Sequence, residues 1–237
     1  MDQETPGDID DADFIRAPPI IYFLGSSHAA IHLRDAAIQR GCRMAPGIEQ
    51  AEVVFVSEDA PTDEDGNRDL HPVRSLLQVA ATVGCPIVLT SQVPPGFTRS
   101  LGLPAIYHQA ETLRIKDAEA RALSPEYIAV GCVTYQSYWL LPTAYRTYLE
   151  AFRCPVHIVT YEDAEFSKIA VNMTLAAQVD NTNRLENAAK KVGADWWHVA
   201  DILRLDSRIG PHSYLTPGRW QDSKHLLRDH VTLKSIE

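Results

Sequence analysis

Pro19-Ile20-Ile21-Tyr22-Phe23-Leu24-Gly25 is an apolar, β-rich run that stops at a glycine. Ser26 to Arg40 follows with Ala29, Leu33, Ala36 and Ala37 at helical spacing, and Gly41 ends it. A strand with no polar alternation suits a sheet covered on both faces, and a strand turning through glycine into a helix opens a parallel α/β unit. Working outward, Val53 to Val56, Pro86 to Thr90, Ala105 to Tyr107, Tyr127 to Val130 and Val156 to Val159 read as further buried strands. Leu70 to Val83 and Thr143 to Phe152 read as helices, and Pro94-Pro95-Gly96 breaks the chain after Thr90. Strand alternating with helix predicts an α/β fold with a largely parallel sheet.

From Pro142 the character changes. Glu162 to Lys191 is a long helical candidate, roughly 45 Å at 1.5 Å per residue, too long to lie against one small sheet. Phe166, Ile169, Met173, Ala176, Leu185 and Val192 fall on more than one side of it, which predicts a second chain packed there. Gly193 ends this helix and Trp196 to Leu203 forms another. The expected organisation is an acidic mobile arm over 1–15, an α/β domain over 16–160 and a helical domain over 161–237.

The chain has 237 residues, enough for a substantial core, with 45% hydrophobic residues. Its net charge of −9 opposes nucleic-acid binding, which needs a basic footprint. No apolar run reaches the length that spans a bilayer, so no membrane partner is expected. The N-terminus is acidic rather than basic and then apolar, which predicts no signal peptide and a cytoplasmic protein. Cys42, Cys85, Cys132 and Cys154 form no C-x-x-C pair and read as reduced thiols.

Several short stretches fall in one order. They are Glu52 to Val56 with Ala60-Pro61-Thr62 and Asp65-Gly66, then Ser91-Gln92-Val93-Pro94-Pro95-Gly96-Phe97-Thr98, then Glu111-Thr112-Leu113-Arg114. Glu165-Phe166-Ser167-Lys168 with Asn172 follows, and last come Arg208-Ile209-Gly210, Leu215-Thr216-Pro217-Gly218 and Lys224-His225-Leu226-Leu227-Arg228-Asp229. Together they resemble the UDP-glucose/GDP-mannose dehydrogenase family. The resemblance implies a shortened Rossmann-like parallel sheet, then a helical dimerisation domain with one long helix that pairs two copies into a homodimer. It implies NAD or NADP at Gly25, Ser27, Ala30, Pro61, Thr62, Ser91 and Gln92, and a sugar or nucleotide-sugar ligand near Leu113, Arg208, Tyr214 and Gly218. It assigns chemistry to Glu111, Lys168, Asn172, the position of His225, and Asp229. Lys168 and Asn172 are four apart, so a helix carries both on one face, where an ammonium and an amide can hold an alcohol oxygen. The plainer alternative is a surface lysine beside a solvated asparagine.

The chain also departs from that pattern. The family's nucleophilic cysteine is replaced by His225, and an imidazole cannot form the thiohemiacetal that leads to the acid. Asp229 lies four residues after His225, which suits a His–Asp hydrogen bond on one helical turn. The glycine motif reads Gly25-Ser26-Ser27-His28-Ala29-Ala30, putting the Ser27 side chain where backbone meets pyrophosphate. The stretch from Cys42 to Glu52 is too short for the usual second strand with its ribose-binding acid, and the family's C-terminal nucleotide domain is not expected. Asp222, His225, Asp229 and His230 match no strict metal motif, so no metal is expected. The expected function is therefore that of a dehydrogenase-like oxidoreductase limited to a two-electron alcohol/carbonyl reaction on a sugar-like substrate. The alternative is a non-catalytic protein that binds a sugar ligand or serves as a dimeric assembly partner.

Overall fold

Ile20–Leu24 forms β1, and Gly25 turns the chain at φ +113°. A Cβ on Gly25 would lie 2.0 Å from the carbonyl oxygen of Ser57, so the close approach of two strand ends requires a glycine. Helix α1, His28–Gln39, follows with Ser27 as its N-cap. This computed structural model describes residues 17–237, and the acidic arm expected over 1–15 lies outside them. The described chain divides into two compact units, one of residues up to Pro61 with Asp69–Lys168, the other of Thr62–Arg68 with Ile169–Glu237.

In the first unit the elements continue as β2 Arg43–Met44, β3 Val53–Val56, α2 His71–Ala81, β4 Ile87–Leu89 and α3 Phe97–Ser100. After them come β5 Ile106–Gln109, α4 Ala118–Leu123, β6 Ile128–Cys132, α5 Thr143–Glu150 and β7 Val156–Thr160. The strands form one sheet in the order β2-β1-β3-β4-β5-β6-β7, parallel throughout except between β5 and β6. The order reverses at β1, which makes the carboxyl ends of β1 and β3 the switch point where such sheets bind ligands.

Alternate residues of the central strands go to opposite cores. Ile21, Val53 and Phe55 pack with Leu33 of α1 and with Tyr145, Tyr148 and Leu149 of α5. Val54, Val56, Ile87 and Leu89 pack with Val73, Leu77 and Ala80 of α2. Burial on both sides is the reason these strands read as unbroken apolar runs.

One expectation needs correcting. The segment between Cys42 and Glu52 does contain a second strand, because Arg43 and Met44 pair parallel with Ile20 and Ile21 as β2. It is only two residues long and ends the sheet. Ala45, Pro46 and Gly47 follow it, and the first carboxylate after the strand is that of Glu49, folded back against Gly47.

Helix α6, Tyr161–Lys191, is a single helix of 31 residues whose Tyr161–Lys168 part belongs to the first unit. The second unit holds the rest of it with α7, Trp196–Leu205, and α8, Lys224–Lys234. A small core of Ala189, Trp196, Ala200 and Leu215 joins them, and the Trp196 indole N–H donates to the Leu215 carbonyl at 3.0 Å. The excursion Thr62–Arg68 belongs to this unit too. Its Gly66, at φ +89°, approaches α8 so closely that a Cβ would stand 2.8 Å from Cγ2 of Val231. No helix among the described residues is long and apolar enough to cross a membrane.

Candidate functional site

The first group of candidate residues lies at the carboxyl ends of β1, β3 and β4. The Ser27 hydroxyl accepts from Ala30 N–H at 3.0 Å and donates to the Ser57 carbonyl at 3.0 Å. It is buried and turned toward the sheet. The expectation that its side chain stands where pyrophosphate approaches is therefore corrected, because an N-cap role draws it inward. The group that does stand at the turn is Glu58, which the sequence reading missed. Its Oε2 accepts from Ser26 N–H at 2.9 Å and lies 3.3 Å from Ser26 Oγ. Its Oε1 accepts from Asp59 N–H at 3.0 Å, and its own N–H donates to Ser91 Oγ at 2.9 Å.

A dinucleotide fold uses the N–H groups of this turn and the positive end of the following helix to hold pyrophosphate, and an acid at the second strand's tip to hold ribose. Here a carboxylate already accepts from the Ser26 N–H of the turn, and no acid stands on β2 or in the three residues after it. These residues do not fit NAD or NADP. Pro61 accepts from Asp69 N–H at 2.8 Å in a surface loop, while Thr62 bridges to Arg68 in the second unit. Gln92 is half-buried in the loop after β4.

That loop is fixed by another residue whose role was not legible. Glu165 in the second turn of α6 is 1% exposed, and its two oxygens accept from Gly96 N–H at 2.6 Å and Thr98 N–H at 2.8 Å. Burial raises its pKa while these N–H donors oppose the rise. Glu165 stands inside a quoted motif, so its presence was visible but not its task.

Glu111 and Lys168 come together in the same unit. Glu111 Oε1 accepts from Leu113 N–H, and Oε2 lies 3.7 Å from Lys168 Nζ. The two side chains are 16% and 15% exposed. The gap is too long for a direct hydrogen bond and short enough for one hydroxyl to accept from the ammonium and donate to the carboxylate. Leu113 packs against the core on the α1–α5 side of the sheet. Glu111 also borders a cavity of about 30 Å³ between that core and α4, room for water and not for a sugar ring.

Asn172 and Asp229 come together in the second unit. Asn172 Nδ2 donates to Asp229 Oδ2 at 2.6 Å, and the Arg68 guanidinium pairs with Oδ1. Arg68 also donates to Thr232 Oγ1 at 2.7 Å. Burial pulls the Arg68 pKa down to about 10, against the attraction of Asp229. Arg68, in a polar surface-like stretch, carried no signal in the sequence beyond its place after Asp65-Gly66. His225 is exposed, one turn before Asp229 on α8.

The other expected ligand contacts lie on the loop between α7 and α8. Tyr214 N–H donates to Gln178 Oε1 at 2.9 Å, and Thr182 Oγ1 donates to the Tyr214 carbonyl at 2.9 Å. Gly218 makes two bonds with the Asn183 amide, at 2.8 and 2.9 Å. These backbone contacts fasten the loop to α6. Arg208 is 87% exposed and paired with Asp206 at 2.7 Å. Among the described residues no three or more His, Cys, Asp or Glu side chains are arranged to hold a metal. All four cysteines are free thiols, and burial pushes Cys42 and Cys132 up to about 11, away from nucleophilic thiolate character.

Comparison with known proteins adds ancestry to this geometry. Residues 162–235 match the central domain of the UDP-glucose/GDP-mannose dehydrogenase family. The chain is 30% identical over 189 residues to a UDP-glucose 6-dehydrogenase of Pseudomonas aeruginosa, covering 71% of this chain and 41% of that protein. A UDP-glucose 6-dehydrogenase of Bacillus subtilis is 29% identical over 181 residues, 69% of this chain and 40% of that protein. The chain thus spans about two-fifths of the length of these relatives. The fold is similar to that of a UDP-glucose dehydrogenase from Pyrobaculum islandicum, with a TM-score of 0.74 at 20% identity over 92% of this chain and 65% of the other.

Proposed function

Because the chain belongs to the UDP-glucose/GDP-mannose dehydrogenase family, we propose that it is a non-redox member that holds a sugar-like polyol at Glu111 and Lys168 and assembles as a homodimer through α6. The observation that carries this reading is the commitment of Asp229. Both its oxygens are engaged in a buried network, by Arg68 and by Asn172, and the residue one turn earlier is an imidazole instead of a thiol. A histidine there supplies no acyl-carrying sulfur, so the second oxidation has no nucleophile. The misfit of NAD at the β1 turn points the same way.

For binding, the 3.7 Å separation of Lys168 and Glu111 favours a hydroxyl that takes a hydrogen bond from one and gives one to the other. A sugar presents such hydroxyls in series. For assembly, α6 leaves Phe166, Val171 and Leu185 exposed, and burial against a second copy would remove them from water. Arg208 is exposed on its loop, as a residue that meets a partner chain would be in the free chain.

Calorimetric titration with hexoses, UDP-glucose and GDP-mannose tests the binding. Saturable uptake of one of them, lost in Lys168→Ala with the fold intact, is expected. Equal heats from the variant and the original chain would remove the pair from the site. A second reading, a two-electron alcohol/carbonyl reaction, is favoured by the four-residue spacing of Lys168 and Asn172 on α6. NAD-dependent turnover that collapses in Lys168→Ala would select it.

A further inference from the structure

We infer that Glu58 is the residue that closes the phosphate cradle at the switch point, so that this chain rejects dinucleotides and other polyphosphates there. The inference rests on the non-redox reading above and gives it a specific physical cause. The turn between β1 and α1 keeps the features that attract phosphate, a positive-φ glycine and the N-terminal end of a 12-residue helix. The Glu58 carboxylate takes the Ser26 N–H of this turn and sits beside its hydroxyl.

Its placement is determined from three sides. Ser26 donates to Oε2 through its N–H at 2.9 Å, with its hydroxyl at 3.3 Å. Asp59 N–H holds Oε1 at 3.0 Å, and Ser91 at the tip of β4 anchors the Glu58 backbone at 2.9 Å. A phosphate entering the turn meets a like charge and must displace these bonds. The Ser27 hydroxyl offers no replacement donor, because it is bonded to Ser57 and Ala30. Glu58 is only half-buried, so solvent screens part of the repulsion and the effect is one of moderate size.

The test is a titration of the full chain with NADH, followed by cofactor fluorescence, and with ADP, followed by calorimetry, at low salt. Glu58→Gln removes the charge and keeps an acceptor, Glu58→Ala removes both, and Glu58→Asp keeps the charge. Melting curves first establish that each variant is folded. The original chain and Glu58→Asp are expected not to saturate at millimolar ligand. Glu58→Gln should bind at least about tenfold more tightly, and Glu58→Ala more tightly still, as charge-assisted donors become available to phosphate. Folded Gln and Ala variants with no gain would overturn the role of Glu58 and leave the non-redox reading standing. Binding of NADH by the original chain as tight as by the variants would also overturn it. Catalytic NAD reduction by the original chain would instead overturn the reading beneath it.

Discussion

Arg68 and Asp229 form an ion pair closed off from solvent, with side chains 4% and 0% exposed. Two buried opposite charges repay their lost hydration only when their remaining hydrogen-bonding capacity is met. Thr232 and Asn172 contribute to that here. The pair ties the excursion Thr62–Arg68 to α8 within the second unit.

Removing one partner should therefore be far worse than removing both. Arg68→Met should lower the unfolding free energy by about 3–5 kcal/mol, because it leaves the Asp229 carboxylate buried without its counter-charge. Adding Asp229→Leu should restore part of the loss. Urea denaturation of the single and double variants checks this, and an additive loss would contradict it.

Gly25→Ala should abolish stable folding or cost more than about 3 kcal/mol, through positive φ and a Cβ 2.0 Å from the Ser57 carbonyl oxygen. Thermal denaturation reads the outcome directly. A variant melting at the original temperature would mean that the two strand ends do not approach as described.

His108 in β5 is buried, and its Nδ1 has no hydrogen-bond partner. Burial lowers its pKa from the ordinary 6.5 to about 4. The unfolded imidazole thus takes up a proton in a range where the folded one does not. Its contribution is fully present above pH 6.5 and is lost as pH falls toward 4, by about 3 kcal/mol in total. Stability measured across this window should fall with acidification, and His108→Leu should flatten that slope.

Much of the fold was legible because its strands are buried on both faces. Ile20 to Leu24 and Val53 to Val56 have no polar alternation, and Gly25 and Gly193 mark element ends. Strand β2 escaped notice because two residues at a sheet edge, Arg43 and Met44, carry no periodicity. The antiparallel direction of β6 beside β5 was equally invisible, since β6 is buried along its whole length and reads as the same apolar run as its parallel neighbours. At the candidate site, Lys168, Asn172 and Asp229 were visible through spacing and resemblance. Glu58 and Arg68 were not, because each acts through a contact 32 or 161 residues away in the chain. Long-range pairing of charges has no local signature.

The homodimer proposed through α6 predicts that Leu185→Glu shifts the chain to monomer in sedimentation velocity, since a charge there would have to be buried unpaired. Unchanged sedimentation would place the assembly surface elsewhere.

The central proposal concerns redox chemistry, and spectrophotometric detection of NAD or NADP reduction meets it most directly. The full chain, incubated with millimolar cofactor and a panel of nucleotide sugars, should produce no reduced cofactor above the protein-free background. Sustained reduction that disappears in Lys168→Ala would contradict the proposal and restore an active dehydrogenase.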